Sequence, residues 1–151
     1  QYMDSIKLIR KHYKDACITT DVIVGFPAET DDEFKQTVKF VQKVGFYNIH
    51  IFPYSKRSGT VAEKMPQVDG KVKHERVKEL SLINEKLNKK YINKTKHFKH
   101  TVLIEEFDGE YYIGHTENYI KCYIQEKCEI NDFVDVKIKK MYNDGALANR
   151  V

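Results

Sequence analysis

Asp21-Val22-Ile23-Val24-Gly25-Phe26-Pro27-Ala28-Glu29-Thr30-Asp31-Asp32-Glu33-Phe34 decides how the chain is read. Residues 21–24 are mostly β-branched and apolar, which suits a strand covered on both faces, and Gly25 and Pro27 stop it. Thr30 is a good helix N-cap, and Glu33 follows three residues later, so the two can close a capping box. Asp31 and Asp32 then fall in the first helical turn, where the helix dipole favours negative charge. The turn at 25–28 is left at the carboxyl end of the strand, the end where parallel α/β folds bind ligands.

Working outward, residues 2–14 carry Met3, Ile6, Ile9 and Tyr13 at a helical period. A strand is expected at 18–24 and a helix at 31–44, with Phe34, Val38, Val41 and Val44 on one stripe and Gly45 as its left-handed cap. A second strand is expected at 47–53. Two strands joined by a helix pair in parallel. They do not close a barrel, so this part reads as the end of a partial (β/α) barrel whose edge would expose apolar surface. Residues 54–69 read as a loop with a helical turn near 62–65. Asp69 can cap a helix at 71–95 with the stripe Val77, Leu80, Ile83, Leu87, Tyr91. Residues 93–99 read as a polar hinge, which sets domains at 1–95 and 96–151.

From Thr101 the period changes to two. Strands are expected at 101–107, 110–114, 119–124, 133–138 and 146–151, with a primed hairpin turn at Asp108-Gly109 and another turn signal at Asp144-Gly145. The fold class is therefore α/β followed by all-β, the latter a small five-stranded antiparallel barrel.

No apolar run approaches the roughly 20 residues of a membrane span, and no signal peptide is seen. Cys17, Cys122 and Cys128 are scattered and odd in number, with no Cys-x-x-Cys pair. They argue for a reducing, cytoplasmic setting and against a disulfide framework or a metal site. The chain opens on Gln1, and it reads as a piece of something longer. The net charge of +4 is unevenly spread: residues 71–100 carry ten Lys and Arg against three Asp and Glu, whereas residues 101–151 carry six against ten. The basic helix face is either a solvated surface or a track for phosphates.

Three stretches also carry a resemblance. The first is Asp-Val-Ile-Val-Gly-Phe-Pro-Ala-Glu-Thr at 21–30. The second is His50-Ile51-Phe52-Pro53-Tyr54-Ser55-Lys56-Arg57-Ser58-Gly59-Thr60-Val61-Ala62, and the third is Gly114-His115-Thr116-Glu117-Asn118-Tyr119. In this order they resemble radical S-adenosylmethionine enzymes of the tRNA methylthiotransferase group. The third resembles the start of the third strand of the small RNA-binding barrel, the TRAM domain, that ends those proteins. The second and third are closest to the branch acting on threonylcarbamoyladenosine in tRNA.

The resemblance implies that Ile23, Gly25, Phe52 and Pro53 meet S-adenosylmethionine, with Gly25 letting the ligand close. The broader pattern Gly-x-Ile-x-Gly-x-x-Glu is matched at Ile23 and Gly25 and departed from at Asp21 and Ala28. The family form is Pro-Gly-Glu-Thr, and here Ala28 stands where it has Gly. Lys56 and Arg57 would meet tRNA phosphates, and His115, Asn118, Tyr119 and Lys121 would meet exposed bases, with Tyr111, Tyr112 and Tyr123 as further stacking candidates. His50 reads as a packed barrel residue rather than a ligand.

The implied reaction adds a methylthio group at C2 of the modified adenosine beside the anticodon. It uses S-adenosylmethionine and two 4Fe-4S clusters whose cysteines lie upstream of this chain. A reduced cluster would cleave S-adenosylmethionine, the resulting radical would abstract hydrogen, and the second cluster would supply sulfur. No catalytic residue or metal ligand is expected here, and the chain alone is expected to be inactive. The implied partners are the tRNA anticodon stem-loop and a reductant for the clusters, with no membrane. The alternatives are an enzyme acting on isopentenyladenosine or on a ribosomal-protein aspartate, and a stand-alone RNA-binding module.

Overall fold

Strand β1 (Thr19–Val24) lies parallel to β2 (Asn48–Pro53), in register from Thr19 opposite Asn48 to Val24 opposite Pro53. The crossover is α2 (Asp31–Val44). Its start is the expected capping box: the Glu33 N–H donates to Thr30 Oγ1 at 3.2 Å, and the Thr30 N–H donates to Glu33 Oε2 at 2.8 Å. It ends at Gly45, which adopts φ 64° and donates its N–H to the Val41 carbonyl. The computed structural model describes residues 1–151, which divide into two compact units: residues 18–88, and residues 1–17 together with 89–151.

In the first unit Val24, Phe34, Val41, Val44, Phe46, Ile49, Leu80 and Ile83 are buried. Each such side chain contributes about 1.5–3 kcal/mol by leaving water. Leu80 and Ile83 come from α3 (Gly70–Thr95), whose start is capped by Asp69 Oδ1 accepting the Lys71 N–H at 2.8 Å. Further along α3, Asn84 Oδ1 accepts the Ile49 N–H at 2.9 Å, which pins the helix to β2. The loop between β2 and α3 contains a 3₁₀ turn, Val61–Lys64. Strand β1 is not covered on both faces, contrary to the sequence expectation. Ile23 is 55% exposed and its register partner Phe52 50%, because no layer covers that face of the two-stranded sheet.

The second unit holds α1 (Tyr2–His12), the last turns of α3, and a closed barrel. Its strands are β3 (Lys99–Phe107), β4 (Tyr112–Thr116), β5 (Lys121–Ile124), β6 (Phe133–Tyr142) and β7 (Gly145–Arg150), in ring order β3-β4-β5-β7-β6. The barrel is not wholly antiparallel: β5 and β7 run parallel. Direction cannot alternate all the way round a ring of five, so one parallel pair is unavoidable. Val102, Ile104, Ile120, Cys122, Ile124 and Val136 are buried in this unit. Tyr111, Tyr123 and Tyr142 pack ring against ring, with centroids 5.2–5.9 Å apart.

One further expectation is corrected. Gly114 to Tyr119 does not begin the third barrel strand; it ends the second and forms the turn after it. Thr116 makes this turn: its N–H donates to the Ile120 carbonyl at 3.0 Å, and its Oγ1 accepts the Ile120 N–H at 2.8 Å. Helix α3 runs through Thr95, which is fully buried, and His100 Nε2 lies 3.0 Å from the Thr95 carbonyl. His100 Nδ1 lies 3.2 Å from Glu117 Oε1. The Thr95 hydroxyl donates to the Ile92 carbonyl at 3.1 Å, so the buried polar groups here are satisfied.

Candidate functional site

An open cleft of about 610 Å³ lies at the carboxyl ends of β1 and β2. Ile23, Phe26, Phe52, Pro53 and Tyr54 form much of its lining, with Asp21 and Arg57 adding charge. Its walls follow from the strands. The parallel register sets Ile23 beside Phe52, and the Phe26 and Tyr54 rings meet edge to face at 5.2 Å. The volume and the apolar, aromatic lining are those of a site for a nucleoside-sized ligand. Three of the four cofactor candidates, Ile23, Phe52 and Pro53, therefore converge on one cleft. Arg57 joins them, and Lys56 stands exposed next to it.

Gly25 is placed differently. It adopts φ 67°, and its N–H donates to Glu29 Oε2 at 2.6 Å. A Cβ on Gly25 would collide with the side-chain stem of Lys73. The missing side chain thus makes room for the Lys73 stem of α3. Lys73 Nζ goes on to donate to the Tyr54 carbonyl at 3.2 Å.

The organising charge of this region was not found in the sequence. Arg76 is 4% exposed. Its Nη1 donates to Glu29 Oε2 at 2.5 Å and to the Glu29 carbonyl at 3.3 Å, and its Nη2 donates to Asp31 Oδ1 at 2.7 Å. The guanidinium also stands 5.2 Å from the centre of the Phe34 ring. Glu29 and Arg76 are 47 positions apart, so no local pattern announces the pair.

The nucleic-acid candidates of the second unit lie on or near the outside of the barrel. Leu103 on β3 faces Phe133 on one side and His115 on the other, and His115 faces Lys121. The His115 ring stacks on Tyr119 at 4.8 Å and its Nδ1 lies 2.9 Å from Glu105 Oε2. Tyr119 is 75% exposed and Phe133 73%. Tyr119 sits at φ 66°, rare for a bulky side chain. Lys121 Nζ reaches Asp144 Oδ2 at 3.1 Å, and that carboxylate raises the lysine above its ordinary range. Asn118 is engaged within the turn, its Oδ1 accepting from Thr116 Oγ1 at 2.6 Å and its Nδ2 donating to the Tyr91 hydroxyl at 3.2 Å. Tyr111 and Tyr123 are buried, and Tyr112 lies against Phe107 with ring centres 4.6 Å apart.

The cysteines do not fit an iron–sulfur cluster. Burial pushes the Cys17 thiol up to about 11 and Cys122 to about 12, and it raises Cys128 as well. Cluster ligands are thiolates, and no three His, Cys, Asp or Glu side chains gather as a donor set.

No protein-family model matches the chain. It is 37% identical, over 95% of its length, to the threonylcarbamoyladenosine tRNA methylthiotransferase MtaB of Bacillus subtilis. The chain is a methylthiotransferase homologue. It is also 38% identical, over 90% of its length, to the ribosomal protein uS12 methylthiotransferase RimO of Clostridioides difficile. Over 58% of the chain the identity to a tRNA-2-methylthio-N(6)-dimethylallyladenosine synthase of a Thermoanaerobacter species is 47%. The chain spans about a third of the length of MtaB and RimO, at 34% and 33%. No helix is long and apolar enough to cross a membrane.

Proposed function

We propose that the chain is the carboxyl-terminal part of a radical S-adenosylmethionine methylthiotransferase that modifies C2 of N6-threonylcarbamoyladenosine beside the tRNA anticodon. The observation that carries the proposal is the convergence of Ile23, Phe52 and Pro53 on one apolar cleft at the ends of two parallel strands, in a chain so similar to MtaB. The cleft would take the adenine between Ile23, Phe26 and Phe52, with Asp21 placed to accept from a hydroxyl or ammonium group. When bound, S-adenosylmethionine would supply the methyl group. The two 4Fe-4S clusters and their cysteines would come from elsewhere in the parent protein.

The barrel would serve as a TRAM domain that docks the anticodon stem-loop, with Tyr119 and His115 stacking on bases, and Lys56 and Arg57 would meet tRNA phosphates. In this reading the enzyme works in the cytoplasm with a reductant for its clusters. The similar identity to RimO supports a second reading, in which the acceptor is a ribosomal-protein aspartate. Deleting the parent gene and analysing tRNA nucleosides and ribosomal proteins by mass spectrometry tests both. The proposal expects the 2-methylthio form of N6-threonylcarbamoyladenosine to vanish. Loss of the protein modification with the tRNA intact would replace it by the second reading.

A further inference from the structure

The most tightly held charge in the cleft-bearing unit does not line the cleft. Arg76 is 4% exposed, and the Glu29 side chain is 13% exposed. Burying two charges is costly, and a buried pair is weak evidence for stability by itself. Its partners are more telling. Glu29 Oε2 accepts at once from Arg76 and from the Gly25 N–H, so one carboxylate oxygen ties α3 to the residue that follows β1. Arg76 also holds the Glu29 carbonyl and Asp31, and so grips the loop from its far end.

Between these grips the backbone passes through the left-handed region, which glycine takes freely and alanine does not. Gly25 and Ala28 both adopt positive φ, 67° and 66°. An alanine there costs about 1–2 kcal/mol, and such a conformation persists only where its surroundings over-determine it. The segment held in this way carries Phe26, 46% exposed, which walls the cleft against Tyr54.

We propose that Glu29 and Arg76 are positioning residues: without touching the ligand, their ion pair sets the loop that places Phe26 over the cleft. This rests on the reading of the cleft as a cofactor site. Loosening the loop lets Phe26 leave the wall, which weakens binding of an aromatic ligand while the rest of the unit stays folded.

The test uses the full-length parent enzyme and its Glu29→Gln and Arg76→Lys variants. Three quantities are measured: hydrogen exchange at the loop, the Kd for S-adenosylmethionine, and the KM for the RNA or protein acceptor. Losing one charge-assisted hydrogen bond should speed exchange of the Gly25 amide about tenfold or more. The Kd for S-adenosylmethionine should weaken about tenfold, the scale on which small misplacements act. The acceptor KM should not change, whereas general destabilisation would move both substrates together. Arg76→Lys keeps a charge for Glu29 and loses the fork to Asp31, so it should fall between wild type and Glu29→Gln.

Unchanged exchange at Gly25 would overturn the proposal, as would a loosened loop that binds S-adenosylmethionine with wild-type affinity. A wild-type enzyme that binds no S-adenosylmethionine would overturn the cofactor reading itself, and the ligand half of the proposal with it. Those outcomes are separable, because exchange is read without ligand.

Discussion

The Tyr91 hydroxyl donates to the Asp15 carbonyl at 2.7 Å, across 76 positions of sequence, and accepts from the Asn118 amide at 3.2 Å. Lys94 reinforces the join with an ion pair to Asp15 at 3.1 Å. One phenol therefore ties the segment after α1, the last turns of α3 and the β4–β5 turn together. Tyr91→Phe keeps the ring and removes both hydrogen bonds. The expected loss is about 1–2 kcal/mol, measured as a lower urea midpoint at an unchanged m-value.

Ala28 offers the opposite case, a gain. It holds φ 66° and donates its N–H to the Pro66 carbonyl at 2.9 Å. Ala28→Gly relieves the left-handed strain and gives back part of that as unfolded-chain entropy. A net stabilisation of about 0.5–1 kcal/mol is expected. A denaturant midpoint at or below wild type would show that the loop is not strained at this residue.

Gly114 fails any substitution for a different reason. Its φ is ordinary, but a Cβ would run into the Leu103 carbonyl on the neighbouring strand. Gly114→Ala must push β3 and β4 apart, and should cost about 2 kcal/mol or more. Thermal melting by circular dichroism checks this, with Gly109→Ala as a milder comparison. At Gly109 a side chain would be opposed only by the φ of 101°, with nothing near it to collide with.

Acid should weaken the barrel. Asp108 is held below the usual carboxylate range by the N–H groups of Tyr111 and Glu110. Asp135 is held there by Lys99 and Thr101, and Asp144 by the Tyr123 hydroxyl and Lys121. A depressed folded pKa means stability that is fully present above the ordinary value of about 3.9 and lost as pH falls through the folded one. Melting temperature should therefore be flat near neutrality and drop below about pH 4. In Asp144→Asn the melting temperature starts lower, and the two curves should converge as acid protonates Asp144 in the wild type.

Tyr119 separates function from stability. It is 75% exposed and strained, so Tyr119→Ala removes little buried surface. In the full-length parent enzyme the KM for tRNA should rise about tenfold, because stacking is worth about 1–3 kcal/mol per base. The melting temperature should barely change. An unaltered KM would remove Tyr119 from the RNA face.

What was legible in the sequence was local. Thr30, Glu33, Gly45 and Asp69 act through neighbours two to four residues away, and each caps its helix as expected. Strand alternation in 101–107 was equally plain. The Arg76–Glu29 pair was illegible because a buried arginine on a lysine-rich helix looks like one more surface cation. The turn at Thr116 was misplaced because the resemblance set Gly114 at the start of the third strand, whereas β4 runs through Thr116 before its hydroxyl accepts the Ile120 N–H and folds the chain back. The face carrying Ile23 and Phe52 was misjudged because apolar composition shows that a side chain suits burial, not which partner buries it.

The closed ring of β3 to β7 leaves no unpaired backbone rail for an extended peptide to join, so strand addition is barred at this end of the chain. Recognition there falls to side chains and turns, which makes the barrel's specificity rewritable one substitution at a time without disturbing its hydrogen-bonded frame.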